Sequence, residues 1–171
     1  MTNFVHRRQL RVEWGHCDPA GIVFNSRFFE FFDWSTWLMF EVALGVPPSK
    51  LGTAFGIMGI PLVDAKARFI RPAKFNDLVE IVSQVSEFRR SSFDVGHRLC
   101  IDGELAVEGS ETRVWTVRDP HDPRRLRATP IPAAVTQRFQ AAHHFMVHRA
   151  RDMMTPCAGA SSIRFEWGAE C

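Results

Sequence analysis

The chain has 171 residues, of which 46% are hydrophobic and 23% are charged. This length and balance predict one folded domain with a sizeable core and exclude a largely disordered chain. The net charge of +2, without a basic run interleaved with aromatic residues, argues against a nucleic-acid partner.

Three other classes are disfavoured by the sequence. The four cysteines, at positions 17, 100, 157 and 171, form no Cys-x-x-Cys pair, so we predict no metal site. The N-terminal stretch MTNFVHRRQLRV lacks the apolar segment of a signal peptide. No apolar run is long enough to span a membrane. We therefore expect a cytoplasmic protein with no membrane partner.

The first predicted element is a strand at residues 5–14, in which Leu10, Val12 and Trp14 alternate with polar side chains. A turn follows at Asp18-Pro19-Ala20-Gly21. Aspartate and proline are both common turn residues, and an aspartate in a turn often bonds to its own backbone. The sequence thus predicts that Asp18 is held rigidly just after a strand.

A very aromatic segment, NSRFFEFFDWSTWLMFEVAL, begins at Asn25. Its apolar side chains are too dense for a narrow stripe, so they predict a helix buried on most of its surface. Asn25 or Ser26 is the expected N-cap. Gly45, followed by Pro47-Pro48, is expected to end the helix.

The second half of the chain reads as strands. Alternating residues predict strands at 61–71, 78–88, 92–102 and 104–118, with a hairpin turn at Asp102-Gly103. A helix apolar on most sides requires a curved sheet around it. The predicted fold is therefore α+β, a hotdog fold in which a curved antiparallel sheet wraps one long buried helix.

The C-terminal part differs from the rest. A short helix is predicted at roughly 133–150, and residues 151–171 show no clear periodicity. We therefore predict a hotdog domain at 1–140 and a C-terminal extension at 141–171 that we expect to be mobile.

Three motifs occur in an informative order: DPAGIVF at 18–24, EFRRSSF at 87–93 and RLRATPIP at 125–132. Over roughly residues 8–133 the chain resembles the 4-hydroxybenzoyl-CoA thioesterase family. The resemblance implies hydrolysis of an aromatic or other compact acyl-CoA to the free acid and CoA, with no cofactor. It also implies a homodimer or homotetramer, with sites that two subunits can share.

The resemblance implies that Asp18 is the catalytic carboxylate. A thioester is already activated, so one carboxylate can attack its carbonyl or deprotonate a water, and the sequence does not separate these roles. The backbone N–H of Asn25, at the helix N-terminus, would stabilise the oxyanion. A rival Cys/His site from His16 and Cys17 is disfavoured because adjacent strand residues face opposite ways.

The remaining predicted site residues bind substrate. Arginine binds phosphate bidentately, so the resemblance assigns the CoA phosphates to the two basic motifs, although paired arginines are more often part of a solvated turn. The family has lysine where Ser91 stands. The predicted phosphate-binding residues are Arg89, Arg90, Ser91, Ser92 and Arg127.

Two residues are assigned to the acyl group. Asp33, inside the aromatic helix, would accept a hydrogen bond from a phenolic hydroxyl, or else bond to a neighbouring strand or subunit, because a buried carboxylate needs a partner. Gly59 would bring the backbone close to the acyl group, although a Gly-x-Pro stretch is more often plain loop.

Three rival functions stay open from the sequence. One is an aliphatic acyl-CoA thioesterase of the Tol-Pal-associated type, because an aromatic helix equally suits any hotdog core. Another is a hydratase, although His16 and His97 lie in no hydratase motif. The third is a non-catalytic acyl-CoA-binding protein, which would need the arginines more than Asp18.

Overall fold

A computed structural model of the chain describes residues 4–141, so the predicted extension beyond Ala141 lies outside the described residues. Five strands form one antiparallel sheet in the order β1-β3-β4-β5-β2, with β1 and β2 at its edges. The strands are β1 (His6–Arg11), β2 (Leu62–Phe69), β3 (Leu78–Phe88), β4 (Ser92–Ile101) and β5 (Glu104–Val114).

Three helices and a small ribbon complete the described chain. Helix α1 packs on the sheet and carries much of the core. Within residues 4–141, none of the helices combines the length and the apolar character needed to cross a membrane. These elements are α1 (Asn25–Leu44), α2 (Pro48–Phe55), α3 (Ala133–Ala141) and the paired strands β6 (Thr116–Arg118) and β7 (Leu126–Ala128).

The α+β hotdog prediction is confirmed, with a correction to the burial of α1. Its buried residues recur every three or four positions, so they form one face against the sheet rather than most of the surface. Trp34 and Val42, on other faces, are 49% and 50% exposed. The buried residues are Phe28, Phe31, Phe32, Ser35, Thr36, Met39, Phe40, Ala43 and Leu44.

Several predicted boundaries need correction. The first strand ends at Arg11, and a 3₁₀ turn at Trp14–His16 replaces its last residues. Helix α1 begins at Asn25, but its N-cap is Phe24, without a side-chain capping bond. Pro48 was expected only to mark the end of the first helix. It is also the first residue of α2, a position that suits proline.

The predicted hairpin turn is confirmed at Asp102-Gly103, where both residues have positive φ, 52° and 78°. The strand predicted at 104–118 is interrupted at Trp115. The Trp115 N–H donates to the Ser91 carbonyl at 2.8 Å, so this residue joins β5 to the turn between β3 and β4.

The sheet has two ends that matter for function. We call them the 90 end, at the β3–β4 turn (89–91), and the 102 end, at the β4–β5 turn (102–103). Strand β3 has 11 residues, which at about 3.3 Å per residue separates the ends by about 36 Å. Helix α1 starts at the 102 end, where Phe28 packs on Phe69, and runs toward the 90 end.

Candidate active site

Asp18 lies in a tight loop at the 102 end. Its Oδ1 accepts a hydrogen bond from the Ala20 N–H at 2.8 Å, and its carbonyl accepts from the Gly21 N–H at 2.9 Å. Gly21 has φ 76°, which glycine adopts at little cost. The aspartate therefore does shape its own turn, as expected for the residue type, and only one carboxylate oxygen is used in doing so.

The loop leads directly into α1. A bridge between Cys17 and Val23 closes the loop, and helix α1 begins two residues later. Within residues 4–141, the Asn25 N–H finds no acceptor outside the helix, as expected for a first-turn amide. The helix dipole favours negative charge at this end. Asp18 and the predicted oxyanion donor are thus brought together.

Both residues line an open cavity of about 420 Å³. Its walls are mainly apolar, so it suits an uncharged acyl group and raises the strength of electrostatic interactions inside it. The apolar lining comes from Ile22, Val23, Phe24, Phe28, Phe69, Ile70 and Pro72.

Arg71 also lines this cavity, and the sequence analysis did not find it. Its Nη1 donates to the Glu104 carboxylate at 2.6 Å, and its Nη2 donates to the Ile101 carbonyl. The buried Nε has no hydrogen-bond partner among the described residues. The available signal was the Arg71-Pro72 pair at the end of the predicted strand 61–71, but nothing in the sequence placed that pair next to Asp18.

The five residues assigned to CoA phosphates do not lie near Asp18. They occupy the 90 end, about 36 Å away along β3. The turn and the β6–β7 ribbon are joined there, because the Ile131 N–H donates to the Arg90 carbonyl at 2.8 Å. Within one described chain, the residue predicted to be catalytic and the residues predicted to bind phosphate are therefore too far apart to serve the same thioester.

Arg89 is already engaged by acids. Its guanidinium donates to Asp94 at 2.8 and 2.6 Å, to Glu87 at 2.6 Å and to the Ser92 hydroxyl at 3.0 Å. The hydrogen bond to Asp94 is the main cause that raises the pKa of Arg89, and the same contact lowers the pKa of Asp94. Its contacts thus fit a role in stabilising the β3–β4 turn better than a role in binding phosphate.

Arg90 and Arg127 differ from Arg89. Both are exposed, and the structure shows no side-chain hydrogen bond or ion pair for either within residues 4–141. Arg127 lies on β7, opposite Val117. These two guanidinium groups are the ones at the 90 end that are available to an anion.

Asp33 has a partner on the sheet. Its half-exposed carboxylate accepts a hydrogen bond from the Nη2 of Arg113, whose side chain is only 2% exposed. The same guanidinium donates from Nε to Glu111 at 2.9 Å and from Nη1 to the Ile60 carbonyl at 3.2 Å. The expected bond to a neighbouring strand is therefore present, while Asp33 keeps an exposed edge.

The contacts continue inward from Glu111, which is 3% exposed. Its Oε2 accepts from the Thr36 hydroxyl at 2.7 Å and lies 3.5 Å from Nε2 of His97. The other His97 nitrogen lies 2.8 Å from the Ser83 hydroxyl oxygen. Burial alone would raise the pKa of Glu111, but the hydrogen bonds and charges of His97 and Arg113 outweigh it and lower the pKa to about 2.

Gly59 lies close to this network. Its φ of 150° favours glycine, and its carbonyl accepts from the backbone N–H of Thr116 at 3.2 Å and from the Thr116 hydroxyl at 3.0 Å. The following residue, Ile60, supplies the carbonyl that Arg113 binds. The two residues assigned to the acyl group, Asp33 and Gly59, are thus brought into one neighbourhood through Arg113.

Sequence reasoning missed Arg113 and Glu111. The signal was available, because both residues occupy the inward face of a strand, two positions apart, where apolar side chains are expected. Charged residues on that face are buried, so they need partners. Identifying those partners required the pairing between α1 and the sheet.

Known proteins match this chain over most of its length. The model of the Thioesterase-like superfamily matches residues 12–139. A curated relative, the 4-hydroxybenzoyl-CoA thioesterase of Pseudomonas sp. (strain CBS-3), is 34% identical over 131 residues, covering 73% of this chain and 90% of the relative.

Two solved structures extend the comparison. One is an Asp-to-Asn variant of 4-hydroxybenzoyl-CoA thioesterase complexed with 4-hydroxybenzoyl-CoA, with 30% identity, a TM-score of 0.70 and coverage of 78% and 97% of the two chains. The other is a gentisyl-coenzyme A thioesterase, with 30% identity, a TM-score of 0.67 and coverage of 78% and 99%. The chain therefore belongs to the thioesterase-like superfamily, as a hotdog-fold thioester hydrolase.

Proposed function

We propose that this enzyme hydrolyses an aromatic acyl-CoA, of the 4-hydroxybenzoyl-CoA kind, to the free acid and CoA. The observation that supports this most strongly is the placement of Asp18. One of its oxygens is fixed by the turn, and it lines an apolar cavity together with the first amide of α1. A positioned carboxylate facing an oxyanion donor is sufficient machinery for thioester cleavage.

The reaction follows from these two groups. The Asp18 carboxylate either attacks the thioester carbonyl carbon or takes a proton from the water that attacks it. Negative charge then develops on the carbonyl oxygen, where the Asn25 N–H and the helix dipole stabilise it. The C–S bond breaks and the CoA thiolate takes up a proton. If Asp18 itself attacked, a water then hydrolyses the acyl–Asp18 anhydride and restores the carboxylate. Both routes release the free acid. The proposed reaction draws on no metal or redox cofactor.

The aromatic assignment rests on the relatives and on Asp33. Relatives at 30% identity or above are named for 4-hydroxybenzoyl-CoA and gentisyl-CoA, whose acyl groups are hydroxylated rings. A half-exposed carboxylate is a good acceptor for a phenolic hydroxyl. Asp33 is our proposed partner for that hydroxyl, with Gly59 beside the ring.

We further propose that two copies of the chain complete each site through β2. This edge strand pairs only with β5 within residues 4–141, and it exposes Leu62, Val63 and Phe69. Antiparallel pairing of two β2 strands across a two-fold axis places the Leu62 end of one copy against the Phe69 end of the other.

This pairing would bring the separated residues together. Phe69 lines the Asp18 cavity, whereas Leu62 is paired with Arg113, which holds Asp33. Asp18 of one copy would then face Asp33 and the 90 end of its partner. A homodimer is the smallest assembly with this arrangement, and a homotetramer of two such dimers is equally compatible.

Release of free thiol from a small panel of substrates tests the proposed activity. The panel is 4-hydroxybenzoyl-CoA, benzoyl-CoA, crotonyl-CoA and palmitoyl-CoA. Faster turnover of the two aromatic thioesters supports the proposal. A preference for an aliphatic substrate would contradict it, hydration of crotonyl-CoA without thiol release would indicate a hydratase, and binding without turnover would indicate a non-catalytic protein. We place the reaction in the cytoplasm, where CoA thioesters are made and used.

The two unpaired arginines should act on nucleotide binding. We expect Arg90→Ala and Arg127→Ala each to raise KM for acyl-CoA several-fold with little change in kcat, because phosphate contacts are remote from the thioester. Steady-state kinetics with acyl-CoA and with an acyl-pantetheine, which lacks the nucleotide, measure this.

Arg89→Ala is the matched comparison. Because Asp94 and Glu87 already bind Arg89, its replacement by alanine should lower the melting temperature and leave KM nearly unchanged. Equal KM increases for both substrates in the Arg90 and Arg127 variants would show that these arginines act on the structure and not on the nucleotide.

A further inference from the structure

One buried chain of polar groups connects the inside of the sheet to the exposed carboxylate of Asp33. It runs from Ser83 through His97 and Glu111 to Arg113, and each of these four side chains is at most 3% exposed. Asp33, at 46%, is the only member of this chain that solvent or a substrate can reach. The arrangement therefore has one accessible end.

Each of the three nitrogens of Arg113 donates to an acceptor within the protein. Nε binds Glu111, Nη1 binds the Ile60 carbonyl and Nη2 binds Asp33. A guanidinium is planar, so three simultaneous contacts fix its plane as well as its position. The Asp33 carboxylate is consequently bonded to a group that cannot rotate.

Glu111 in turn holds Arg113. Its Oε2 accepts from Thr36 as well as from Arg113, so α1 and β5 are tied at the same oxygen. Phe32, which precedes Asp33 in the sequence, stacks on His97 with ring centroids 4.7 Å apart. The turn of α1 that carries Asp33 is therefore anchored to the sheet by two contacts, the Phe32 ring on His97 and the Thr36 hydroxyl on Glu111.

We propose that Arg113, held by Glu111, is a positioning residue that makes Asp33 select acyl groups with a hydroxyl donor. The bound guanidinium directs one carboxylate oxygen inward, which leaves acceptor capacity on the exposed side. An acyl ring with a hydroxyl there gains a charge-assisted hydrogen bond. An acyl group with an anion there would meet the carboxylate of Asp33 and be repelled by it. This inference rests on the proposed function.

The test is the ratio of kcat/KM for 4-hydroxybenzoyl-CoA to that for benzoyl-CoA. A site built around a substrate hydroxyl discriminates strongly against its absence, so the wild-type ratio should be well above one. We expect Asp33→Ala to lower it at least about tenfold, and Arg113→Lys to lower it at least about fivefold, because lysine cannot make the three planar contacts.

The double variant Asp33→Ala/Arg113→Lys separates positioning from a general structural role. If Arg113 acts through Asp33, the double variant has the ratio of Asp33→Ala alone, so the effects are not additive. Val135→Ala, a buried change in α3 that removes no group of this network, controls for lost stability and should slow both substrates equally.

Glu111→Gln keeps the proposal testable if Arg113→Lys fails to fold. It preserves side-chain volume but weakens the clamp on Arg113, and it should lower the ratio in the same direction. A wild-type ratio near one would overturn the hydroxyaryl substrate assignment. A ratio lost in Asp33→Ala but unchanged in both Arg113→Lys and Glu111→Gln would overturn the positioning role alone, as would additive losses in the double variant.

Discussion

Replacing Asp18 with asparagine is expected to lower kcat by at least about 10³, with KM changed far less. Asparagine keeps an oxygen that can accept the Ala20 N–H, so the turn survives. What it loses is the charge that attacks the thioester or deprotonates water. Single-turnover and steady-state rates with the preferred acyl-CoA measure the loss, and circular dichroism checks the fold.

Asp119→Asn is a matched control. Asp119 also accepts a hydrogen bond from the backbone N–H two residues ahead, at 2.8 Å, but it lies outside the Asp18 cavity. The Asp119→Asn variant should therefore keep the wild-type kcat. An Asp18→Asn enzyme with more than about a tenth of the wild-type kcat would show that Asp18 is only a turn residue, and the proposed chemistry would fail with it.

The proposed catalytic end of the molecule could be predicted from the sequence because its determinants are local. Asp18 and Asn25 are only seven residues apart, and a turn followed at once by a helix leaves few arrangements for them. The motif that carries the family resemblance spans the same stretch. The prediction that Asp18 lies beside the start of α1 thus needed no long-range contact.

The substrate-binding residues behave differently, because sequence spacing says nothing about which end of a strand faces which site. Arg89 and Arg90 close β3 at the 90 end, and that end was fixed only by the pairing of β3 with β4. The acids that bind Arg89 were likewise unforeseen, although they are only two and five residues away, because the β3–β4 turn is what brings Asp94 beside Arg89. The first fact depends on strand pairing and the second on the geometry of the turn.

The buried network illustrates a related limit. Glu111 and Arg113 alternate with outward residues, so their burial was readable from the strand pattern. Their role was not, because Asp33 lies 80 residues away in sequence and meets Arg113 only when α1 docks on β5. Replacing one member of such a pair leaves a buried charge alone, which typically costs about 3–5 kcal/mol.

Refolding two impaired variants together should restore activity. One variant carries Asp18→Asn and the other carries Arg90→Glu with Arg127→Glu, which we expect to lower kcat/KM at least about tenfold by repelling the CoA phosphates. If each site takes Asp18 from one chain and the arginines from its partner, a mixed dimer has one site with every lesion and one site with none. Joint refolding in equal amounts should then yield about a quarter of the wild-type kcat/KM.

A site built within one chain predicts a much lower activity for the refolded mixture. There every site in a mixed dimer carries one lesion, so the mixture shows at most about half of the residual activity of the arginine variant. The structure favours the first outcome because about 36 Å of β3 separates the two sets of residues in one chain. Mixing the proteins without refolding provides the control, since subunits that do not exchange cannot form intact sites. Failure to exceed that control after refolding would rule out a site that combines Asp18 of one chain with Arg90 and Arg127 of its partner.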